Sequence, residues 1–137
     1  MISDLSIRLR NSFDELKRLR ETLHEYCGFR ELPSNVVFAL TLSLDEIVTN
    51  VISYGYDDHD EHQIEVTIRS SQGVIEASVV DDGKPFNPLE FRTPDLKCPI
   101  DEWPIGGLGI YLVKNYMSEL EYKRVGVKNC LTMRKRF

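Results

Sequence analysis

At 137 residues the chain is long enough for one domain with a real core, and leaves little room for a second. Its 42% hydrophobic and 28% charged residues are ordinary for a soluble globular protein. A net charge of −5 argues against a nucleic-acid or anionic-membrane binder built on overall basicity. Arg134, Lys135 and Arg136 do cluster, which reads as a solvated strand terminus rather than a binding patch. Cys27, Cys98 and Cys130 are scattered, with no C-x-x-C pair and no His at metal-ligand spacing. Neither a disulfide framework nor a zinc site is expected, and a reducing compartment is. The opening MISDLSIRLR has no apolar run of signal-peptide length, and no other stretch reads as a membrane span. A cytoplasmic protein is the expectation.

In chain order, Leu5, Ile7 and Leu9 alternate with polar residues and predict a half-buried strand over Ile2 to Leu9. Asn11 or Ser12 offers an N-cap, with Glu15 placed to complete a capping box with Ser12. Phe13, Leu16, Leu19, Leu23 and Tyr26 then keep helical spacing until Gly28, a helix stop. A second helix is entered near Pro33 or Ser34 and ends near Gly55, with Leu40, Leu44, Ile47 and Val51 on one buried face. Ile64, Val66 and Ile68 alternate, Ser70 to Gly73 turns the chain, and Val74 to Val80 returns as a hairpin partner. From Asp81 to Ile105 there are five prolines and no sustained period, the mark of a lid or binding loop. A helix opens at Gly106 and Gly107 and runs to Met117. Two strands, Glu119 to Val125 and Cys130 to Phe137, close the chain around a turn at 126–129. This order predicts an α+β fold: a two-layer α/β sandwich with a mixed, mostly antiparallel sheet and helices on one face, forming a single domain over residues 1–137.

Three motifs carry chemistry. On the second helix, Glu46 and Asn50 stand one turn apart, on a stripe whose other members, Ala39, Ser43 and Ser53, are small. A carboxylate that accepts a proton and an amide oxygen that ligates Mg²⁺ suit a metal–phosphate site; a solvated helix face fits the same spacing. VVDDGKPFNP, residues 79–88, ends a strand in a carboxylate followed by glycine. It reads as an acceptor for an exocyclic amine such as that of adenine, or as an ordinary Asp-Gly turn. IGGLGIYL, residues 105–112, runs a glycine-rich loop into a helix start, as either a phosphate cradle or a plain junction. It matches neither G-x-x-x-x-G-K-[ST] nor G-x-G-x-x-G on a βαβ unit.

Taken as one ordered set, these motifs resemble the GHKL (Bergerat-fold) ATP-binding family of gyrase-type and histidine-kinase-type domains. Glu46 and Asn50 resemble its N box, Asp81-Asp82-Gly83 its first glycine box, and Gly106-Gly107-Leu108-Gly109 its second. The phrases LDEIVTNVISYGY, DDGKPFNP and GGLGIYLVKNYM are most similar to the short anti-sigma-factor serine/threonine kinases of bacterial partner-switching pathways. The resemblance implies Glu46 as general base, Asn50 as the Mg²⁺ ligand, and Asp81 as the reader of the adenine amino group, with Gly83 beneath the base. It places the backbone amides of Gly106, Gly107, Leu108 and Gly109 on the phosphates, and a lid between Lys84 and Ile105.

Two departures stand out: Pro85 replaces a glycine of the first glycine box, and Asn129-Cys130-Leu131-Thr132 replaces Gly-Thr. Either Asn129 or Thr132 would supply the missing polar contact beside adenine. A histidine-kinase core is disfavoured because no upstream helix carries a phosphoacceptor His; His24, His59 and His62 read as surface residues. The implied function is a Mg·ATP-dependent serine/threonine protein kinase acting as an anti-sigma factor, with a sigma factor and a small anti-sigma-factor antagonist as partners. No direct nucleic-acid or membrane contact is implied, and a homodimer through the N-terminal strand edge is admitted. The alternatives are a nucleotide-gated anti-sigma binding module without useful kinase activity and a stand-alone ATPase. Phe91 and Trp103 would serve docking in either partner-binding case.

Overall fold

A computed structural model of the protein describes residues 4–90, 99 and 107–137. Among these residues five strands and three helices follow in the order β1 (Asp4–Arg10), α1 (Glu15–Phe29), α2 (Ser34–Tyr54), β2 (Gln63–Ser71), β3 (Val74–Asp81), α3 (Gly107–Tyr116), β4 (Glu119–Val125) and β5 (Lys128–Arg136). A short 3-10 turn lies at Pro88–Glu90. The strands form one sheet in the order β1-β2-β3-β5-β4, and every neighbouring pair is antiparallel. The expected mixed sheet is therefore corrected. The strands β3 and β4 do run the same way, but β5 inserts between them, so they never pair.

Alternation sends one side chain in two to the helices. A single row crosses the sheet from Ile7 through Val66, Val79 and Leu131 to Tyr122. The next row holds Asp81, Asn129 and Arg124 side by side. The opposite face is polar, and there Arg134 joins Glu76, Glu119 and Glu121 across three strands. The basic C-terminal cluster is thus largely paired: Arg136 also meets Glu119.

On the inner face α2 packs between α1 and α3. Val36, Leu40, Leu44 and Val48 are fully buried there, against Leu19 and Leu23 of α1 and Ile64, Val66, Ile68 and Ile75 of the sheet. Burying each such side chain contributes about 1.5–3 kcal/mol. Among the described residues α2 alone has the length and apolar composition to cross a membrane, against the expectation that no stretch did; a shared core occupies that apolar surface instead. Cys27 and Cys130 are free thiols.

The start and stop of α1 depart from expectation. Its N-cap is Asp14, without a side-chain cap. The carboxylate of Glu15 reaches past Ser12 to accept the Arg10 backbone N–H at 2.9 Å and the Arg18 guanidinium at 2.8 Å. A buried carboxylate gains more from a cation and an amide together than from a capping box. The helix also runs through Gly28 to Phe29, and the left-handed residue is Glu31, with φ 54°. The Arg30 guanidinium pins that turn by donating to Ser70 Oγ at 2.9 Å. Glycine does carry the left-handed position in the β2–β3 turn, where Gly73 has φ 72°.

The hydrogen bond from Arg18, aided by the Arg10 amide, lowers the Glu15 pKa from 4.5 to about 2. Because the folded value lies below the unfolded one, the stabilisation is complete above pH 4.5 and drains away as the pH falls towards about 2. Thermal melts across that interval are expected to show Tm falling more steeply in the native chain than in Glu15→Gln. Parallel curves would exclude Glu15 as a source of acid sensitivity.

Candidate functional site

A cavity of about 470 Å³ opens between α2, the inner ends of β3 and β5, and the chain segment that follows β3. Its walls are mainly apolar, with Ile47, Val51, Val79, Ile110 and Leu131 among them, and its polar members include Asn50, Asp81 and Asn129. This is a mainly apolar cavity with a few polar groups in its wall, the usual form of a small-molecule site.

Each polar group is held for a local reason. Asp81 ends β3 on the inward phase and is only 5% exposed. Burial raises its pKa, while hydrogen bonds from Asn129 and the Gly83 amide oppose the rise. The Gly83 N–H donates to Asp81 Oδ1 at 2.9 Å, and the Lys84 N–H donates to the Gly55 carbonyl at 2.8 Å. The turn therefore lies directly on the end of α2. A Cβ on Gly83 would stand 2.7 Å from that Gly55 oxygen, so the position admits no side chain without moving backbone. Asn50 is half-buried on α2, and its Nδ2 atom is buried without a hydrogen-bond partner. A half-turn of the side chain presents either end of the amide to the cavity.

Glu46 lies one helical turn before Asn50 and is half-buried. Burial first, and the neighbouring Asp45 second, raise its pKa. The carboxylate occupies the space a side chain would need at Gly109: a Cβ there would lie 2.2 Å from Glu46 Oε2. The expected stripe is thus buried at Ala39 and Ser43 and meets α3 at Glu46; of its members only Ser53 is exposed. Gly107 and Gly109 are buried where α3 begins, and Leu108 is 40% exposed. The backbone amides of this first turn have no partner within the helix.

The structure brings Asn50 and Asp81 into one cavity, sets Gly83 against Asp81, and seats Glu46 on Gly109. Gly106, Phe91, Trp103 and most of the expected lid fall outside the described residues. Several contributors escaped the sequence reading. Tyr122 and Arg124 face inward from β4; Tyr122 donates to Asn129 Oδ1, and Arg124 donates to the Gly83 carbonyl at 2.9 Å. Their signal was the period-2 phase of a strand whose inward residues are not all apolar. His62 is no free surface residue: its ring nitrogens lie 2.8 Å from Asp58 and 3.2 Å from Asp82, and both raise its pKa. The ring also stacks on Tyr56 with centroids 4.2 Å apart. This bridge ties the α2–β2 loop to the residue after Asp81. His24 and His59 are exposed, as expected.

A nucleotide fits this donor set. Asp81 supplies an acceptor among apolar walls, Asn50 an unpaired amide, and the α3 start a run of free N–H groups for phosphates. Among the described residues no three His, Cys, Asp or Glu side chains are grouped to hold a metal. A Mg²⁺ ion here would accordingly be held by Asn50 together with phosphate oxygens, a coordination common for that ion.

Sheet, helical layer and cavity together define an α+β nucleotide-binding domain of the GHKL type. Residues 9–135 match the family described as "Histidine kinase-like ATPase domain", and the chain belongs to that family; ATP binding comes with it. It is 29% identical over 96 residues to the serine/threonine-protein kinase BtrW of Bordetella bronchiseptica, covering 70% of this chain and 68% of that one. It is 24% identical over 86 residues to the serine-protein kinase RsbW of Bacillus mycoides, covering 60% of this chain. The match spans about half of that relative's length, 53%. Among solved structures, the RsbU and RsbW domains of a Mycobacterium tuberculosis protein superpose with a TM-score of 0.71 at 18% identity, over 98% of this chain and 32% of that one, which establishes the shared fold.

Proposed function

We propose that this chain is a Mg·ATP-dependent serine/threonine protein kinase of the cytoplasm, acting as an anti-sigma factor that phosphorylates a small anti-sigma-factor antagonist. The observation that carries the chemistry is the Glu46–Asn50 pair. A carboxylate with raised pKa stands one turn from an unpaired amide, and that amide opens onto the same cavity as Asp81. The sequence resemblance and the kinases BtrW and RsbW among the relatives support the protein-directed reading. The partners and a homodimer through the β1 edge rest on the resemblance, the cytoplasmic location on the scattered cysteines, and the single-domain reading on length and element order.

In this reading the serine or threonine hydroxyl of the acceptor gives its proton to Glu46. Its oxygen forms a bond to the γ-phosphorus as the bond to the β,γ-bridging oxygen breaks, and ADP leaves. A bound Mg²⁺ supplies charge neutralisation at the phosphates. Asp81 and the apolar walls hold the base, and the α3 amides orient the phosphates. Transfer of this kind needs positioning and electrostatics more than covalent chemistry from the protein.

The test is phosphotransfer in a lysate of the source organism, with purified protein, Mg·ATP and a Glu46→Gln control, read by phosphosite mass spectrometry. One new Ser or Thr site on a small protein, gained only with the native chain, is expected. Asn50→Ala is expected to weaken ATP binding about tenfold in the presence of Mg²⁺, and much less in its absence. No new site in a chain that binds Mg·ATP would favour a nucleotide-gated sequestering module. Steady phosphate release without an acceptor would favour an ATPase.

A further inference from the structure

Strand phase separates Asn129 from Thr132, the two β5 residues expected to touch the base. Thr132 faces away from the helices and meets Ser78 across the outer face at 3.3 Å. Asn129 points inward and is 6% exposed. Its amide is fully used by the protein. The two Nδ2 hydrogens go to Asp81 Oδ1 at 3.0 Å and to the Lys84 carbonyl at 2.8 Å. Its Oδ1 accepts the Phe86 N–H at 3.2 Å and the Tyr122 hydroxyl. A backbone N–H only donates and a backbone carbonyl only accepts, so the amide has one possible orientation.

Two consequences follow. Asn129 has no donor or acceptor left for a ligand. Asp81 Oδ1, which also receives the Gly83 N–H at 2.9 Å, already holds two donors. Among the described residues Oδ2 has none, and Asp81 lines the cavity. We propose that Asn129, braced by Tyr122, is the positioning residue that sets base specificity: it occupies Oδ1 of Asp81 and leaves Oδ2 as an acceptor-only edge that selects a 6-amino purine over a 6-oxo purine. The inference rests on the reading of the cavity as a nucleotide site. The hydrogen bond from Asn129 also works against the pKa rise that burial imposes on Asp81, and so favours the ionised, acceptor-only form. A 6-amino group donates into that edge. A 6-oxo group meets it acceptor to acceptor, in a buried place where neither is satisfied.

The experiment is calorimetric titration of the whole chain with ATP and with inosine triphosphate, which carries a 6-oxo group in place of the 6-amino group and a proton on N1. The native chain is expected to prefer ATP by about a hundredfold. Asn129→Ala is expected to shrink that preference to less than about tenfold, with ATP affinity falling far more than that for inosine triphosphate. Asn129→Thr keeps one O–H donor for Asp81 without clamping Lys84 and Phe86, and is expected to restore most of the preference. Tyr122→Phe removes one brace from Asn129 without removing a ring from the core. It is expected to lower the preference about threefold, and carries the test should Asn129→Ala fail to fold. Equal losses for both nucleotides in the Ala and Phe variants, or an unchanged ratio, would overturn the proposal. A native chain that binds both nucleotides alike would overturn it while leaving the nucleotide site standing. A native chain that binds neither would overturn the proposed function as well.

Discussion

Glu46→Gln is expected to lower phosphoryl transfer to the protein acceptor at least a hundredfold, about the contribution of a positioned general base, while ATP affinity stays within about threefold of the native value. Glutamine keeps the shape that packs against Gly109 and loses only the ability to take a proton. The pH dependence separates this from a packing defect. In the proposed role Glu46 acts as a base only when ionised, so transfer is expected to be lost as the pH falls through its pKa. Burial and Asp45 set that pKa above the ordinary 4.5. Single-turnover transfer from the native chain is therefore expected to show an acid limb centred above pH 4.5, and the variant none. Normal transfer by the variant would remove Glu46 from the chemistry.

What the sequence disclosed, and what it hid, divides by range. Features written in a local period were legible: β4 over Glu119–Val125, and α2 ending beside Gly55. Features decided by distant groups were not. Ser12 and Glu15 have capping-box spacing, yet Glu15 is drawn to Arg10 and Arg18 because the turn after β1 brings a cation and a free amide to it. Strand direction is a property of the whole sheet, and β5 entering between β3 and β4 made it wholly antiparallel. The choice between Asn129 and Thr132 turned on the length of one turn. A turn over 126–129 leaves Asn129 outside the strand; the observed strand begins at Lys128, which fixes Asn129 and Leu131 inward and Thr132 outward. The bridge of His62 to Asp58 and Asp82 joins residues up to 20 positions apart, which no local pattern records.

Gly109→Ala is expected to cost transfer rather than stability, and the contrast with Gly83→Ala shows why. A methyl group on Gly109 would fall 2.2 Å from Glu46 Oε2 and 3.1 Å from Glu46 Cδ, both at the free end of a flexible side chain. That end swings aside at little cost, so the fold survives with Tm nearly unchanged. The proposed base, however, is displaced by a distance of the order of an ångström, for which about a hundredfold in rate is the usual penalty. The loss is expected in kcat, with KM for ATP little altered, because the cavity around Asp81 is untouched. On Gly83 the same methyl group would meet the Gly55 carbonyl oxygen at 2.7 Å and Asp81 Oδ1 at 2.9 Å. That carbonyl is backbone and accepts the Lys84 N–H, so the clash is relieved only by breaking the turn. Gly83→Ala is expected to destabilise the fold by about 1–3 kcal/mol and to weaken ATP binding with it. Melting curves and steady-state kinetics on the pair test both statements. A Gly109→Ala enzyme with native kcat would mean that Glu46 acts from a position its contact with α3 does not determine. Equal stability losses in the two variants would mean that the Glu46 carboxylate is held as rigidly as backbone, a preorganised base whose cost of displacement the fold itself bears.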